Sequence, residues 1–517
     1  MARRSARPGS SAPWELCGVL AATSLLAGLL CAWSVLTPAY RPPDEAQHLS
    51  TALRLATGGG YPPHGQALMD PAVLASYRWV GYTGPRVQLT PRPPALAEPP
   101  SMASLRAPGL PRPATSVDQM TQHPPGYYAL LAAAITGLGL DGASPQAMIL
   151  VLRLLSAALL LPVPLLCFLA ARRLGLPPQV GVVAAFLPAA WVQFTHIGAS
   201  INNGTLTVLA SSLAVVLLLP IAQGDVRARR ALAAGGAVTL ALLTKGFGLA
   251  LLPTVAVAYV GAVRAVGVRR ALPSAVMAAA AILPGTSWWL FNIVRYGQLQ
   301  PSRPPGTAWS KGLADLAGWA GTFLDFLAWT MWGALGSQEG RPPRLLYIAT
   351  TVLLVVLLGV GSWILRRQPV EVILLHSVWL GPLAIITYGS VREFLITGAV
   401  RGAQGRYLQV AVVSMAVLAL APLVRTRLAL ILGPVVATLV GAGGLVFGLW
   451  LFWGTSAGAG RFESLTSWWP GATVVVGLAA VTIAGAAVLG AVALVRLLPA
   501  RPPAASTEPA APRARAL

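Results

Sequence analysis

The sequence predicts an all-α polytopic membrane protein, on three observations. Hydrophobic residues make up 56% of its 517 positions and charged residues only 10%, with a mean hydropathy of +0.68, whereas an average globular domain is about 25% charged. Apolar runs recur that are each long enough to cross a bilayer as a helix, which takes about 20 residues. These runs are continuous, unlike the alternating strands of about ten residues that build a membrane barrel. Cys17, Cys31 and Cys167 lie inside such runs, show no metal spacing and read as small buried hydrophobes. The net charge of +22 forms no nucleic-acid patch. Arginines instead punctuate the ends of apolar runs, as the positive-inside rule requires.

Arg3, Arg4 and Arg7 place the N-terminus, 1–15, in the cytosol. The first segment, 16–37, has too long an apolar core for a cleavable leader and no Ala-x-Ala-like site, so it reads as an uncleaved anchor. Residues 38–147 form a long extracytoplasmic loop. Segment 148–170 returns to Arg172 and Arg173. Segments 179–197 and 204–222 make a hairpin ending at Arg227, Arg229 and Arg230. Segments 231–244 and 246–263 make a second hairpin with Lys245 at its outer tip, and 271–291 completes the helices of 148–291. A second outer loop covers 292–343. Segments 344–365, 370–388, 406–424, 428–453 and 471–497 fill 344–497, and 498–517 reads as a disordered cytosolic tail rich in Pro, Ala and Arg. The expected total is about 12 transmembrane helices. Within the first loop, nine prolines over 85–113 dictate extended surface chain. The apolar run 126–139 is too short to span and reads as an interfacial or re-entrant helix opened by Pro124-Pro125. Another interfacial helix is expected around 313–336.

Acids are scarce, 15 in all, so the adjacent pair Asp44 and Glu45 stands out in Pro42-Pro43-Asp44-Glu45-Ala46-Gln47-His48. One reading is an ordinary helix N-cap, with Gln47 completing a capping box and Gly58-Gly59-Gly60 ending the helix. The other is chemistry: a carboxylate at the water–lipid boundary can act as general base on an incoming hydroxyl, with His48 one turn on, on the same face. His123-Pro124-Pro125-Gly126-Tyr127-Tyr128 reads as a Pro-initiated helix with aromatic anchors, or as a site in which His123 contacts a phosphate or sugar hydroxyl. Asn202, in Ser200-Ile201-Asn202-Asn203-Gly204, reads as a turn or as a ligand contact. Lys245 is a snorkelling hairpin tip or a cation for a lipid phosphate. Arg406, in Gln404-Gly405-Arg406-Tyr407, is an interfacial anchor or a bidentate phosphate contact. Arg153 lies inside an apolar segment, where a cation is a functional candidate by default. The topology uses none of these residues, yet apart from Arg153 it puts all of them on the outer side, and Arg153 near the outer end of its segment. An acid plus several cations there suits a reaction between a hydroxyl acceptor and an anionic lipid donor.

Pro42-Pro43-Asp44-Glu45-x-x-His48, His123-Pro124-Pro125-x-Tyr127-Tyr128, Asn202-Asn203, Thr244-Lys245 and Gly405-Arg406-Tyr407 together resemble the GT-C superfamily of integral-membrane glycosyltransferases. More closely, they resemble a family of multi-pass bacterial membrane proteins grouped with it. The resemblance implies a GT-C-like bundle in the plasma membrane with an extracytoplasmic active site in the first outer loop. It also implies a polyprenyl-phosphate-linked sugar as donor and an envelope glycan or lipid as acceptor. The catalytic acid maps onto Asp44 or Glu45, with His48, His123, Asn202, Lys245, Arg406 and Arg153 as substrate-binding candidates. Relatives often carry an acid after the paired Asn, where Gly204 stands here, so the expectation is a mechanism without a divalent metal or other cofactor. Two other classes stay in view: a multi-pass transporter, and a non-catalytic envelope-assembly subunit.

Overall fold

The computed structural model describes residues 11–301, 308, 310–312 and 315–498. Arg3, Arg4 and Arg7, and the tail beyond Leu498, lie outside the described residues. Within them the regular structure is helical, with only isolated bridges such as Leu89 to Trp453.

Helix α1 (Ala12–Leu36) is apolar around its whole circumference and buried along most of its length, the signature of a helix enclosed by others. The long segment that follows supplies α2 (Glu45–Ala56), α3 (Pro71–Ser76) and α4 (Gly126–Gly137). Helix α4 is apolar but only 12 residues long, as its sequence predicts. The Pro-rich stretch between α3 and α4 is extended and straps the bundle end. Its Leu89 exchanges backbone hydrogen bonds with Phe452 and Gly454, Arg92 lies over Trp468, and Trp468 Nε1 donates to Thr90 O at 2.8 Å.

Helices α5 (Pro145–Ala158) and α6 (Val163–Arg173) form one interrupted span, and α7 (Pro178–Ala190) and α8 (Val192–Gly198) are bent by 65°. The straight segment expected over 179–197 is thus broken. Pro188 lacks the N–H that continues a helix, Trp191 is extended with ψ 92°, and Trp191 Nε1 is tied to Met331 O. Helix α9 (Gly204–Ala222) has the predicted bounds and is buried like α1. Helix α10 (Ala228–Leu242) has 15 residues, or about 22 Å at 1.5 Å per residue, short of the roughly 30 Å of a bilayer core. Helices α11 (Leu251–Val266), α12 (Val268–Tyr296), α13 (Leu316–Trp332) and α14 (Leu335–Gln338) follow, α13 being the helix expected in the second outer loop. The rest are α15 (Arg344–Ile364), α16 (Pro369–Thr397), α17 (Val412–Leu420), α18 (Arg427–Phe452), α19 (Arg461–Trp468) and α20 (Ala472–Leu497).

Among the described residues ten spans are long and apolar enough to cross a membrane, or eleven if the bent α7–α8 pair is one span. The short α10 accounts for the remaining predicted segment. Helix α1 packs against α20, α7 and α18. On α18, Gly444 and Gly448 sit where a Cβ would run into Val192 and Trp33, so small residues let these helices approach closely. Exposed large apolar side chains concentrate on α12, α15, α16, α18 and α20, the faces suited to lipid.

Candidate active site

The five motifs converge at one end of the bundle, and a turn between α8 and α9 organises them. Ile201 N–H donates to Glu45 Oε1 at 3.1 Å, and Asn202 N–H to Tyr127 Oη at 2.9 Å. Asn203 Nδ2 reaches Tyr128 Oη at 3.5 Å, and Lys245 Nζ donates to Asn203 Oδ1 at 3.0 Å. The long loop after α1, the Asn turn and the Lys245 loop are thereby one hydrogen-bonded unit.

The two adjacent acids part company. Glu45 is fully buried. Its oxygens accept from Arg153 Nε (2.8 Å) and Nη2 (2.7 Å) and from the N–H groups of Ile201 and Tyr40. Arg153 is equally buried, and its remaining donors go to Ser34 O, Thr37 O and Pro38 O. All five guanidinium donors are therefore used, three of them on carbonyls at and just beyond the C-terminus of α1, where a cation is favoured.

Asp44 occupies the cap position of α2 but makes no capping bond. Its backbone is left-handed (φ 63°), and Gln47 Oε1 has no partner, so the expected capping box does not form. A left-handed backbone is uncommon outside glycine, and Asp and Asn tolerate it best. It turns the side chain outward: Asp44 is 48% exposed, with Oδ2 3.6 Å from Arg406 Nη2. His48, by contrast, is buried and bonds Tyr128 Oη through Nδ1 at 3.0 Å, so it does not share an open face with Asp44.

Arg406 and Lys245 line a small cleft with Asn202, Gly204, Phe247, Tyr407 and Gln409. Lys245 does not snorkel. Its Nζ lies 5.0 Å from the Tyr407 ring centre and 6.0 Å from that of Phe247, cation–π contacts on a partly buried ammonium. Burial, and then the neighbouring Arg406, push its pKa down to about 7, opposed by Asp44. Burial also pushes His123 down to about 3, helped by Lys245 and His64. His48 is held well below its ordinary value by burial and then by Lys245, His123 and Arg406. Both imidazoles are therefore neutral near pH 7, and the positive field belongs to Lys245 and Arg406. Arg406 Nη1 and Gln409 Nε2 are buried without a protein partner.

Arg406 sits on a tight 3-10 turn (Gly405–Ala411) that precedes α17, where the sequence predicts a continuous helix from 406. The turn is pressed onto α13: a Cβ at Gly405 would collide with Leu327 O and Met331, and Gly405 N–H donates to Thr330 Oγ1 at 2.7 Å. Gly405→Ala is expected to destabilise by about 1–3 kcal/mol, the range for overpacking, read as a lowered thermal midpoint.

Four residues beyond the predicted set complete the geometry. Asn203, not Asn202, holds Lys245, while Asn202 Oδ1 accepts from Gly204 N–H at 2.7 Å. Tyr128 joins His48 to Asn203. Arg41 and Glu339 form a buried ion pair whose guanidinium also donates to Val87 O at 2.6 Å, clasping the first loop to the α14 segment. Among the described residues no group of three or more His, Cys, Asp or Glu side chains is clustered to hold a metal ion.

Residues 27–415 match a family described as "Predicted membrane protein (DUF2142)". The chain belongs to that family. The match takes in all five motifs of this DUF2142 protein and ends within α17. No curated protein matches the chain. Among solved structures it is similar to ArnT from Cupriavidus metallidurans in the apo state, at 15% identity and a TM-score of 0.47, covering 91% of this chain and 76% of that one. It is similar to the same protein bound to undecaprenyl phosphate, at 15% identity and a TM-score of 0.43 over the same shares. It is also similar to the Archaeoglobus fulgidus oligosaccharyltransferase tethered with an acceptor peptide, at 16% identity and a TM-score of 0.34, covering 86% of this chain and 55% of that one. Likenesses of this depth concern the general arrangement of helices and transfer no chemistry.

Proposed function

We propose that this protein is a GT-C-type membrane glycosyltransferase that moves a sugar from a polyprenyl-phosphate-linked donor to an envelope glycan or lipid acceptor, with its site on the extracytoplasmic side. One observation carries the reading. A half-exposed carboxylate, Asp44, stands 3.6 Å from Arg406 at a cleft whose other cation is Lys245. A base beside an anion site is what glycosyl transfer from a lipid phosphate needs.

In the reaction the acceptor hydroxyl gives its proton to Asp44 as its oxygen bonds the anomeric carbon. The bond from that carbon to the phosphate oxygen breaks, and the electron pair leaves with the lipid phosphate. Lys245 and Arg406 face the charge that develops there. Arg406 Nη1 and Gln409 Nε2, both without a protein partner, are donors for its oxygens. Glu45 and Arg153 serve as the frame: their bonds set the height of the Asn turn against the first loop. His48 and His123, neutral near pH 7, contribute polarity without charge.

Purified full-length protein in lipid vesicles, given radiolabelled polyprenyl-phosphate sugars and envelope lipid extract, is expected to transfer label to an acceptor. Uptake of a solute by the vesicles with no transfer of label would put transport in its place. Lys245→Met and Arg406→Met are each expected to raise the KM for donor about tenfold to a hundredfold, the loss of one charged hydrogen bond. Unchanged donor kinetics in both variants would remove the phosphate from this cleft.

A further inference from the structure

The cleft is held open to an anion by an amide. Lys245 Nζ donates to Asn203 Oδ1 at 3.0 Å, and Asn203 is fully buried. An ammonium only donates, so the Asn203 carbonyl oxygen must face it and the amide nitrogen must face Tyr128. The backbone around Asn203 is fixed from three sides, by Glu45 on Ile201, by Tyr127 on Asn202, and by Thr207, whose hydroxyl donates to Asn203 O at 3.0 Å. Asn203 is neutral and cancels none of the charge that the ammonium carries.

Arg406 and Lys245 line the cleft and are its positive groups; Asp44, beside it and 3.6 Å from Arg406, is negative. Tyr407 and Phe247 offer only ring faces to Lys245. His48 and His123, the other titratable groups turned toward Lys245, are held neutral by burial and by the cations. Glu45 is consumed by Arg153. Below about pH 7, where Lys245 holds its proton, Arg406, Lys245 and Asp44 sum to one positive charge. We propose that Asn203 is a positioning residue that fixes the Lys245 ammonium in the cleft without neutralising it, so that the cleft selects a phosphodiester with a single negative charge over a diphosphate. This rests on the donor reading given above and narrows it to a monophosphate-linked lipid. A carboxylate at 203 would hold the ammonium at the same distance and cancel the charge.

The test is binding, not transfer. Full-length protein in nanodiscs is titrated calorimetrically with a polyprenyl methyl phosphodiester, which carries one charge from pH 5 to 9, and with polyprenyl diphosphate. Wild type is expected to bind the diester at least about tenfold more tightly than the diphosphate. Its affinity should fall as pH rises through about 7, where Lys245 loses its proton. Asn203→Asp is nearly isosteric, and the Tyr128 hydroxyl can donate to the new carboxylate, so the thermal midpoint should hold. Diester affinity at pH 6 should drop about tenfold or more, and the fall with pH should move to higher pH, because a carboxylate keeps the ammonium protonated. Tyr128→Phe, which frees the Asn203 amide, is expected to weaken diester binding while leaving the pH of the fall in place. Wild-type affinity and pH dependence in Asn203→Asp, or tighter binding of the diphosphate by wild type, would overturn the proposal while leaving glycosyl transfer standing. A wild-type protein that binds neither lipid at any pH would overturn both.

Discussion

Asp44→Asn is expected to lower the turnover of glycosyl transfer by about 10²–10⁴-fold, the range for removing a general base, while the protein folds and inserts as before. Asparagine is the right probe because position 44 has a left-handed backbone, φ 63°, which Asn tolerates about as well as Asp and Ala does not. The side chain makes no capping bond and is half exposed, with Arg406 3.6 Å away, so its charge carries little of the fold. Loss of that charge also leaves Arg406 without its nearby carboxylate, so at about pH 6 or below, where Lys245 holds its proton, the cleft becomes more positive. The KM for donor is therefore expected to stay level or fall while turnover collapses, the split that separates a base from a binding residue. Transfer assays at matched membrane abundance, with the thermal midpoint measured alongside, read all three quantities. Full turnover in this variant would remove Asp44 from the chemistry.

The spans were legible because a bilayer imposes a length and a composition that a sequence displays directly. The bounds predicted for α9 and those of α20 differ from the observed ones by a residue at most. The break between α7 and α8 was less visible: Pro188 signals it, but the angle depends on Trp191 reaching Met331, 140 residues away. The same distinction runs through the site. That acids and cations gather at one end could be read from loop order alone. Which of two adjacent acids is free could not, because it depends on Arg153, 108 residues from Glu45. Neighbouring positions at a helix start point in different directions, and only the packed structure says which direction is inward. Asn202 and Asn203 pose the same problem, and there the bond to Lys245 falls to the second. Glu339 carried a weak signal, as one of only 15 acids in the chain, but its partner Arg41 lies 298 residues away.

Glu45→Gln tests the frame and is expected to act on stability first. Glu45 and Arg153 are fully buried and pair through two hydrogen bonds. Removing one partner of such a pair leaves an uncompensated charge and costs about 3–5 kcal/mol. Glu45→Gln should therefore lower the thermal midpoint and the amount of inserted protein, and Arg153→Met should do so to a similar degree. The double variant removes both charges, so its loss is expected to be well below the sum of the single losses, the mark of direct coupling. The consequence for activity follows from the same bonds. Glu45 Oε1 also holds Ile201 N–H, two residues before the Asn203 that carries Lys245. A double variant that regains stability still lacks this carboxylate acceptor, so the Lys245 ammonium should be less well placed and the KM for donor should rise even where the fold is restored. If instead the restored double variant turns over donor normally, the Asn turn is held by Tyr127, Tyr128 and Thr207 without Glu45, and the acid beside Asp44 is needed only to keep Arg153 in the bundle.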